Sequence, residues 1–140
     1  MDHVGIIVSD LASATEFFRV LGLELHGEAS LEGQLVDNIV GLEGVRTDIA
    51  FMRTPDGRGA VELTKVHAPQ HEGGEGRAPA NAPGIRHLAF VVEDLDATLA
   101  GLQDQAGELV GTVERYGERY RLCYVRGPEG IIVELAEPIG

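Results

Sequence analysis

The sequence has little cysteine, few aromatic residues and few basic residues, and each shortage narrows what the chain can be. One cysteine, Cys123, cannot form an intramolecular disulfide, so we expect a cytoplasmic protein whose buried thiol is inert. Tryptophan is absent and aromatics make up 5% of the 140 residues, so a core must be built mainly from aliphatic side chains. No secretory signal is visible, and no apolar run approaches the ~20 residues that span a bilayer.

The charge balance excludes two classes of partner. Eleven lysines and arginines stand against 23 aspartates and glutamates, which gives a formal net charge of −12. Such a surface repels phosphate backbones and anionic lipids. We therefore expect neither a nucleic-acid nor a membrane partner, and look for a small-molecule substrate.

Two stretches of the chain resemble each other. Asp2 to Leu11 reads DHVGIIVSDL, and Arg86 to Leu95 reads RHLAFVVEDL. Each begins with a β-branched run that predicts a strand and continues into an apolar stripe at helical spacing. Asp10 and Asp94 are the predicted N-caps of the two helices, because a carboxylate there accepts free amide hydrogens of the first turn.

The two halves also end alike. Gly22 and Gly107 are placed to end the two helices. Later in each half a Pro-acidic-Gly turn leads into an apolar strand, which predicts a closing hairpin. These turns are Pro55-Asp56-Gly57 before Glu62 and Pro128-Glu129-Gly130 before Glu134. The first half carries extra residues near Leu31 to Val45, with a short helix or loop expected from Asp37 to Leu42.

The repeat defines the expected domain organisation. Each half reads as a β-α-β-β-β module, at about 1–67 and 85–140, and the Gly- and Pro-rich stretch at about 68–84 is the predicted linker. Neither module would bury both faces of its sheet alone. We therefore predict one α+β domain over residues 1–140.

Two histidines and two glutamates recur at corresponding strand positions and suggest a metal site. His3 and His87 open the repeated strands, and Glu62 and Glu134 each interrupt an apolar run. Imidazole nitrogen and carboxylate oxygen suit divalent Ni, Zn, Co, Mn or Fe, and four such ligands leave room for a substrate. The alternative is ordinary strand histidines with glutamates on a solvated sheet face. The repetition of the same pair favours one divalent metal ion bound by all four residues.

These strings, together with GPEGIIVEL near the end, resemble the vicinal-oxygen-chelate superfamily, which includes glyoxalase I, methylmalonyl-CoA epimerase, extradiol dioxygenases and bleomycin-resistance proteins. The resemblance covers nearly the whole chain apart from the linker. It implies two tandem βαβββ modules that form a curved mixed β-sheet around a central cleft, in a homodimer. The ligand set His3, Glu62, His87 and Glu134 resembles that of bacterial glyoxalase I.

The resemblance implies a metal-dependent lyase or isomerase of the glyoxalase I or epimerase type. In that reaction a carboxylate moves the proton next to a carbonyl, and Glu134 or Glu62 would be the catalytic base. We favour Glu134, which has the more apolar neighbours. Arg121 and Tyr124 in the penultimate strand are candidates for substrate contacts, although an exposed edge strand would explain them equally well.

Two other functions are compatible with the same resemblance. An extradiol-type dioxygenase would use ferrous iron and oxygen. A non-catalytic protein of the bleomycin-resistance kind would bind an antibiotic or natural product without turnover. Whether the four ligands come from one chain or from two is likewise open, because the linker permits either arrangement.

Overall fold

The protein, seen here as a computed structural model, is described at residues 1–71, 73 and 76–140. It divides into two compact units, Met1–Gly74 and Glu75–Gly140. The predicted linker, 68–84, runs across this division. Its residues 72, 74 and 75 lie outside the described part, and the described remainder beyond residue 68 contains no helix or strand.

The described part of unit 1 forms one four-stranded sheet and two helices. The elements are β1 Val4–Ile7, α1 Leu11–Val20, β2 Glu24–Glu32, α2 Gln34–Val40, β3 Arg46–Arg53 and β4 Ala60–Ala68. The sheet runs in the order β1-β4-β3-β2, with β1 parallel to β4 and the other pairs antiparallel.

The described part of unit 2 repeats this plan. The elements are β5 His87–Val91, α3 Leu95–Asp104, β6 Glu108–Leu109, β7 Glu114–Tyr116, β8 Tyr120–Arg126, a 3₁₀ turn Pro128–Gly130 and β9 Ile132–Pro138. Its sheet runs in the order β5-β9-β8-β6, with β7 also paired to β8 and β5 parallel to β9. The predicted α+β class with two βαβββ modules is confirmed.

Both predicted N-caps are confirmed. A carboxylate oxygen of Asp10 accepts from the backbone N–H of Ser13 at 3.0 Å, and one of Asp94 accepts from Ala97 at 2.9 Å. The extra segment of the first half does contain a short helix, α2. None of the described helices is long and apolar enough to cross a membrane.

The two long helices end differently. Gly22 follows α1 with a φ of +97°, as its role as a helix-ending residue requires. After α3 the residue with positive φ is Ala106, at +62°, one position before the glycine expected there. Gly107 is needed for another reason, because a Cβ at this position would lie 2.7 Å from the carbonyl oxygen of Leu102.

The long helices α1 and α3 each pack on one face of the sheet in their own unit, and this decides where the candidate site lies. In unit 1 the buried side chains include Phe17 and Phe18 of α1 with Val61 and Leu63 of β4. Because side chains alternate along a strand, Glu62 between the last two points to the face away from the helix. In unit 2 the buried side chains of the core are Val92, Leu95, Leu99, Leu102, Cys123, Val125, Ile132, Val133 and Leu135.

Candidate metal centre

The first candidate pair lies on the helix-free face of the unit 1 sheet. His3 immediately precedes β1, and Gly5 of that strand is in register with Glu62 of β4. Nε2 of His3 lies 3.3 Å from a carboxylate oxygen of Glu62. Both side chains are about one-third exposed, at 35% and 31%, so the pair is accessible to a ligand.

Unit 2 contains the same arrangement. His87 opens β5, and Ala89 is in register with Glu134 of β9. Nε2 of His87 lies 3.2 Å from a carboxylate oxygen of Glu134. The small residue at each register position, Gly5 or Ala89, leaves space beside the imidazole and the carboxylate.

The separation within each pair suits two neighbouring ligands of one ion. Ligand atoms about 2.1 Å from a divalent metal are roughly 3.0 Å apart at octahedral angles and roughly 3.4 Å apart at tetrahedral angles. The observed 3.3 Å and 3.2 Å fall between these values. Within either unit, the described residues contain no group of three or more His, Cys, Asp or Glu side chains that could hold a metal ion, so each unit by itself supplies two of the four predicted ligands.

An aromatic ring packs beside each imidazole. Phe51 is in register with Glu62, and Tyr124 is in register with Glu134. The rings of Phe51 and His3 meet edge to face at 5.3 Å between centroids, and those of Tyr124 and His87 lie 4.9 Å apart at 37°. Both aromatics limit the rotation of the neighbouring imidazole. The sequence reasoning selected Tyr124 but missed Phe51, although each stands two residues before an arginine at the end of its strand.

Asp2 was also missed, although it directly precedes His3. Nδ1 of His3 lies 2.7 Å from a carboxylate oxygen of Asp2. A proton on Nδ1 that is donated to Asp2 leaves the Nε2 lone pair directed towards Glu62, which is the tautomer a metal ligand needs. This hydrogen bond is the main cause that lowers the pKa of Asp2 from its ordinary 3.8. Arg86 stands at the corresponding position before His87.

Arg121, one of the two predicted substrate contacts, is not brought to the Glu134 pair. It lies an odd number of residues from Tyr124 in β8, so its side chain extends from the other face of the sheet. There its guanidinium bonds Asp96 of α3 at 3.0 Å and Glu137 of β9 at 3.4 Å. Arg121 thereby links helix α3 to the sheet, and we leave it out of the proposed substrate site.

The remaining histidines differ from one another. His26 in β2 and His71 are both exposed. His67 is half-buried in β4, where its Nε2 lies 2.7 Å from a carboxylate oxygen of Asp48. Ser30 donates a hydrogen bond of 2.7 Å to the other oxygen of Asp48. Asp48 lies an odd number of residues from Phe51 in β3, so its side chain extends from the other face of the sheet.

Unit 2 offers an open, mainly apolar groove of about 340 Å³, and neither His87 nor Glu134 lines it. Tyr124 both lines this groove and packs on His87. The groove is lined by Val110, Gly111, Thr112, Glu114, Leu122, Cys123 and Tyr124.

The protein therefore consists of two similar βαβββ modules, each with a His–Glu pair on its sheet. Comparison with known proteins identifies the family. The sequence profile of the Glyoxalase/Bleomycin resistance protein/Dioxygenase superfamily matches residues 1–135. The chain belongs to this superfamily. The crystal structure of a glyoxalase family protein from Bacillus cereus is 42% identical, with a TM-score of 0.96, over 100% of this chain and 94% of that one.

Two other proteins are similar to this chain at lower sequence identity. The uncharacterized protein YqjC of Bacillus subtilis is 28% identical over 100% of this chain and 93% of its own length. Glyoxalase I of Zea mays, in mutant form, is 17% identical with a TM-score of 0.67, over 99% of this chain and 47% of that one. At this identity the likeness to glyoxalase I shows the fold alone.

Proposed function

We propose that the protein is a divalent-metal-dependent lyase or isomerase that acts on a small carbonyl compound. The observation that carries the proposal is the His–Glu pair that recurs in both units, with nitrogen–oxygen separations of 3.3 Å and 3.2 Å. Membership of a superfamily that contains many enzymes and typically uses a divalent metal adds support.

The proposed ligands are Nε2 of His3 and His87 with the carboxylates of Glu62 and Glu134, and one ion is bound per chain. Nitrogen and oxygen donors of this kind suit Ni, Zn, Co, Mn or Fe. When bound, such an ion supplies Lewis-acid polarisation of neighbouring oxygen atoms on a substrate.

The proposed proton transfer is assigned to Glu134. Its carboxylate would remove the proton from the carbon next to a carbonyl and return it either to the neighbouring carbon or to the same carbon. The first outcome is a glyoxalase-type reaction and the second is an epimerisation. Glu134 is favoured over Glu62 because its side chain is less exposed, 21% against 31%, which shields a proton in transit from water. Tyr124 keeps the adjacent His87 ring in place.

Metal content is the first test. Elemental mass spectrometry on untagged protein should find close to one divalent ion per chain, and the double variant His3→Ala/His87→Ala should lose it. His26→Ala is the matched control, because that histidine is exposed and outside both pairs. Sedimentation of the same samples tests the expected homodimer. Metal-loaded protein is then screened with α-ketoaldehyde hemithioacetals and acyl-CoA epimers.

Other results would point to other functions. Stoichiometric iron together with oxygen uptake on catechols would assign an extradiol-type dioxygenase. Wild-type protein that takes up no metal after reconstitution would overturn the catalytic proposal. Tight binding of a natural product to such metal-free protein would indicate a sequestering protein instead.

A further inference from the structure

Arg53 is a cation placed on the same sheet face as the first metal pair. It ends β3, two residues after Phe51, and Phe51 is in register with Glu62. Side chains two positions apart in a strand share a face, so the side chains of Arg53, Phe51 and Glu62 stand on the same side of the sheet. No inference from the sequence singled out this arginine.

The guanidinium of Arg53 has few partners of its own. Its central carbon lies 5.3 Å from the centroid of the Phe51 ring, and its one side-chain hydrogen bond to a described residue is a long one of 3.5 Å to the carbonyl oxygen of Gly57. Within the described part of the chain it makes no ion pair with a carboxylate. Beyond ion-pair distance its charge also helps to lower the pKa of Asp2, the residue before His3, after the larger effect of the His3 hydrogen bond. A guanidinium carries five N–H donors, so most of them face solvent or a ligand.

Arg126 provides the comparison within the same molecule. It ends β8 two residues after Tyr124, which is the place that Arg53 has after Phe51. Nη1 of Arg126 donates to the carbonyl oxygens of Ala78 and Gly130, both at 3.0 Å. At equivalent positions, therefore, Arg126 hydrogen-bonds to loop carbonyl groups, whereas most N–H donors of Arg53 have no such partner.

We infer that Arg53 binds an anionic oxygen group of the substrate, a carboxylate or a phosphate, while the carbonyl end lies at the metal pair. The centroid of the Phe51 ring lies 5.3 Å from that of the His3 imidazole and 5.3 Å from the central carbon of the Arg53 guanidinium, so these two groups are at most about 10.6 Å apart and a molecule of a few carbon atoms can contact both. The planar guanidinium matches the geometry of a carboxylate and can form two parallel hydrogen bonds to it. In a chain with a net charge of −12, a local cation is needed to attract an anionic substrate.

The inference rests on the proposed function, and a pair of chelating probes tests it. Succinic monohydroxamate and butyrohydroxamate both present two neighbouring oxygens, but only the first carries a carboxylate at its other end. Calorimetric titration of metal-loaded protein should show at least about tenfold tighter binding of the succinic probe, equivalent to one charge-assisted contact. Arg53→Gln should abolish this preference, and Arg53→Lys should retain part of it.

Arg126→Gln is the matched control, expected to lower the melting temperature and keep the preference. A preference that survives Arg53→Gln, or equal binding of both probes to wild type, would overturn the inference. A second readout is independent of metal: malonate added to chelator-treated protein should shift the Nε–H resonance of Arg53 in a ¹⁵N spectrum. A malonate shift in protein that takes up no metal would overturn the proposed function and leave the anion site standing. Absence of that shift, together with no binding of either probe, would overturn both the anion site at Arg53 and the proposed function.

Discussion

Gly22 and Ala106 occupy the same place after the two long helices, and both have a positive φ, +97° and +62°. Glycine adopts this conformation without penalty, whereas an L-residue with a Cβ is strained there by roughly 1–2 kcal/mol. The second unit therefore carries strain at a point where the first unit does not.

Ala106→Gly should raise the free energy of unfolding by about 0.5–1 kcal/mol, because relief of the strain outweighs the greater freedom of glycine in the unfolded chain. Gly22→Ala is the mirror experiment and should lower it by about 1–2 kcal/mol. A Cβ at Gly22 meets nothing within 4 Å, so backbone strain alone is measured there. Urea denaturation of both variants measures the two free energies of unfolding. A lower free energy of unfolding for Ala106→Gly would contradict the claim that Ala106 is strained.

The apolar pattern explains why so much of the fold was predictable. Val61 and Leu63 must face the helix, which leaves Glu62 on the other side, and the same rule places Glu134. Because the pattern is repeated, one module predicts the other, including its helix caps. The apolar pattern does not reveal which side chains become neighbours across strands, because that depends on which strands pair and in what register.

Phe51 and Arg121 illustrate that limit. Phe51 lies beside His3 only because β3 pairs with β4 in the register that puts it opposite Glu62. Arg121 is close to Tyr124 in sequence, but the odd spacing between them places their side chains on opposite faces of the strand. Its partner Asp96 is on a helix 25 residues away in sequence, a contact that no local pattern specifies.

Cys123 should react slowly with thiol reagents. Its side chain is buried, and burial raises the pKa of its thiol above the ordinary 9.0, with the nearby charges of Arg121 and Asp96 acting in opposite directions. A raised pKa means less thiolate at a given pH, and thiolate is the reactive form. Native protein at pH 8 should label with a disulfide-exchange reagent at least about tenfold more slowly than urea-unfolded protein. Equal rates would show that the thiol is accessible.

Asp48 should contribute to stability in a pH-dependent way. The hydroxyl of Ser30 and then the ring of His67 hold the pKa of Asp48 below its ordinary 3.8. A carboxyl whose pKa is lowered by folding stabilises the native state above its ordinary pKa, and this contribution is lost as the pH falls through the folded value. Asp48→Asn should therefore be less stable than wild type at pH 6, with the difference shrinking below pH 3.8.

Chemical denaturation at several pH values measures that difference. Ser30→Ala, which keeps the carboxylate and removes one hydrogen bond, should show a smaller loss in the same direction. A gap between wild type and Asp48→Asn that is constant from pH 6 to pH 2.5 would exclude the linkage.

Glu62 and Glu134 should respond differently to the same conservative change, even though each sits in an equivalent pair. A carboxamide oxygen can still bind a metal but cannot accept the transferred proton. Under the proposed function, Glu134→Gln should keep its metal and lose about 10²- to 10⁴-fold in the rate of proton exchange next to the substrate carbonyl. Glu62→Gln should keep its metal and most of that rate. Deuterium incorporation from D₂O, with metal content measured on the same samples, separates the two effects. Loss of exchange in Glu62→Gln alone would move the base to unit 1, where Phe51 rather than Tyr124 lies opposite the carboxylate.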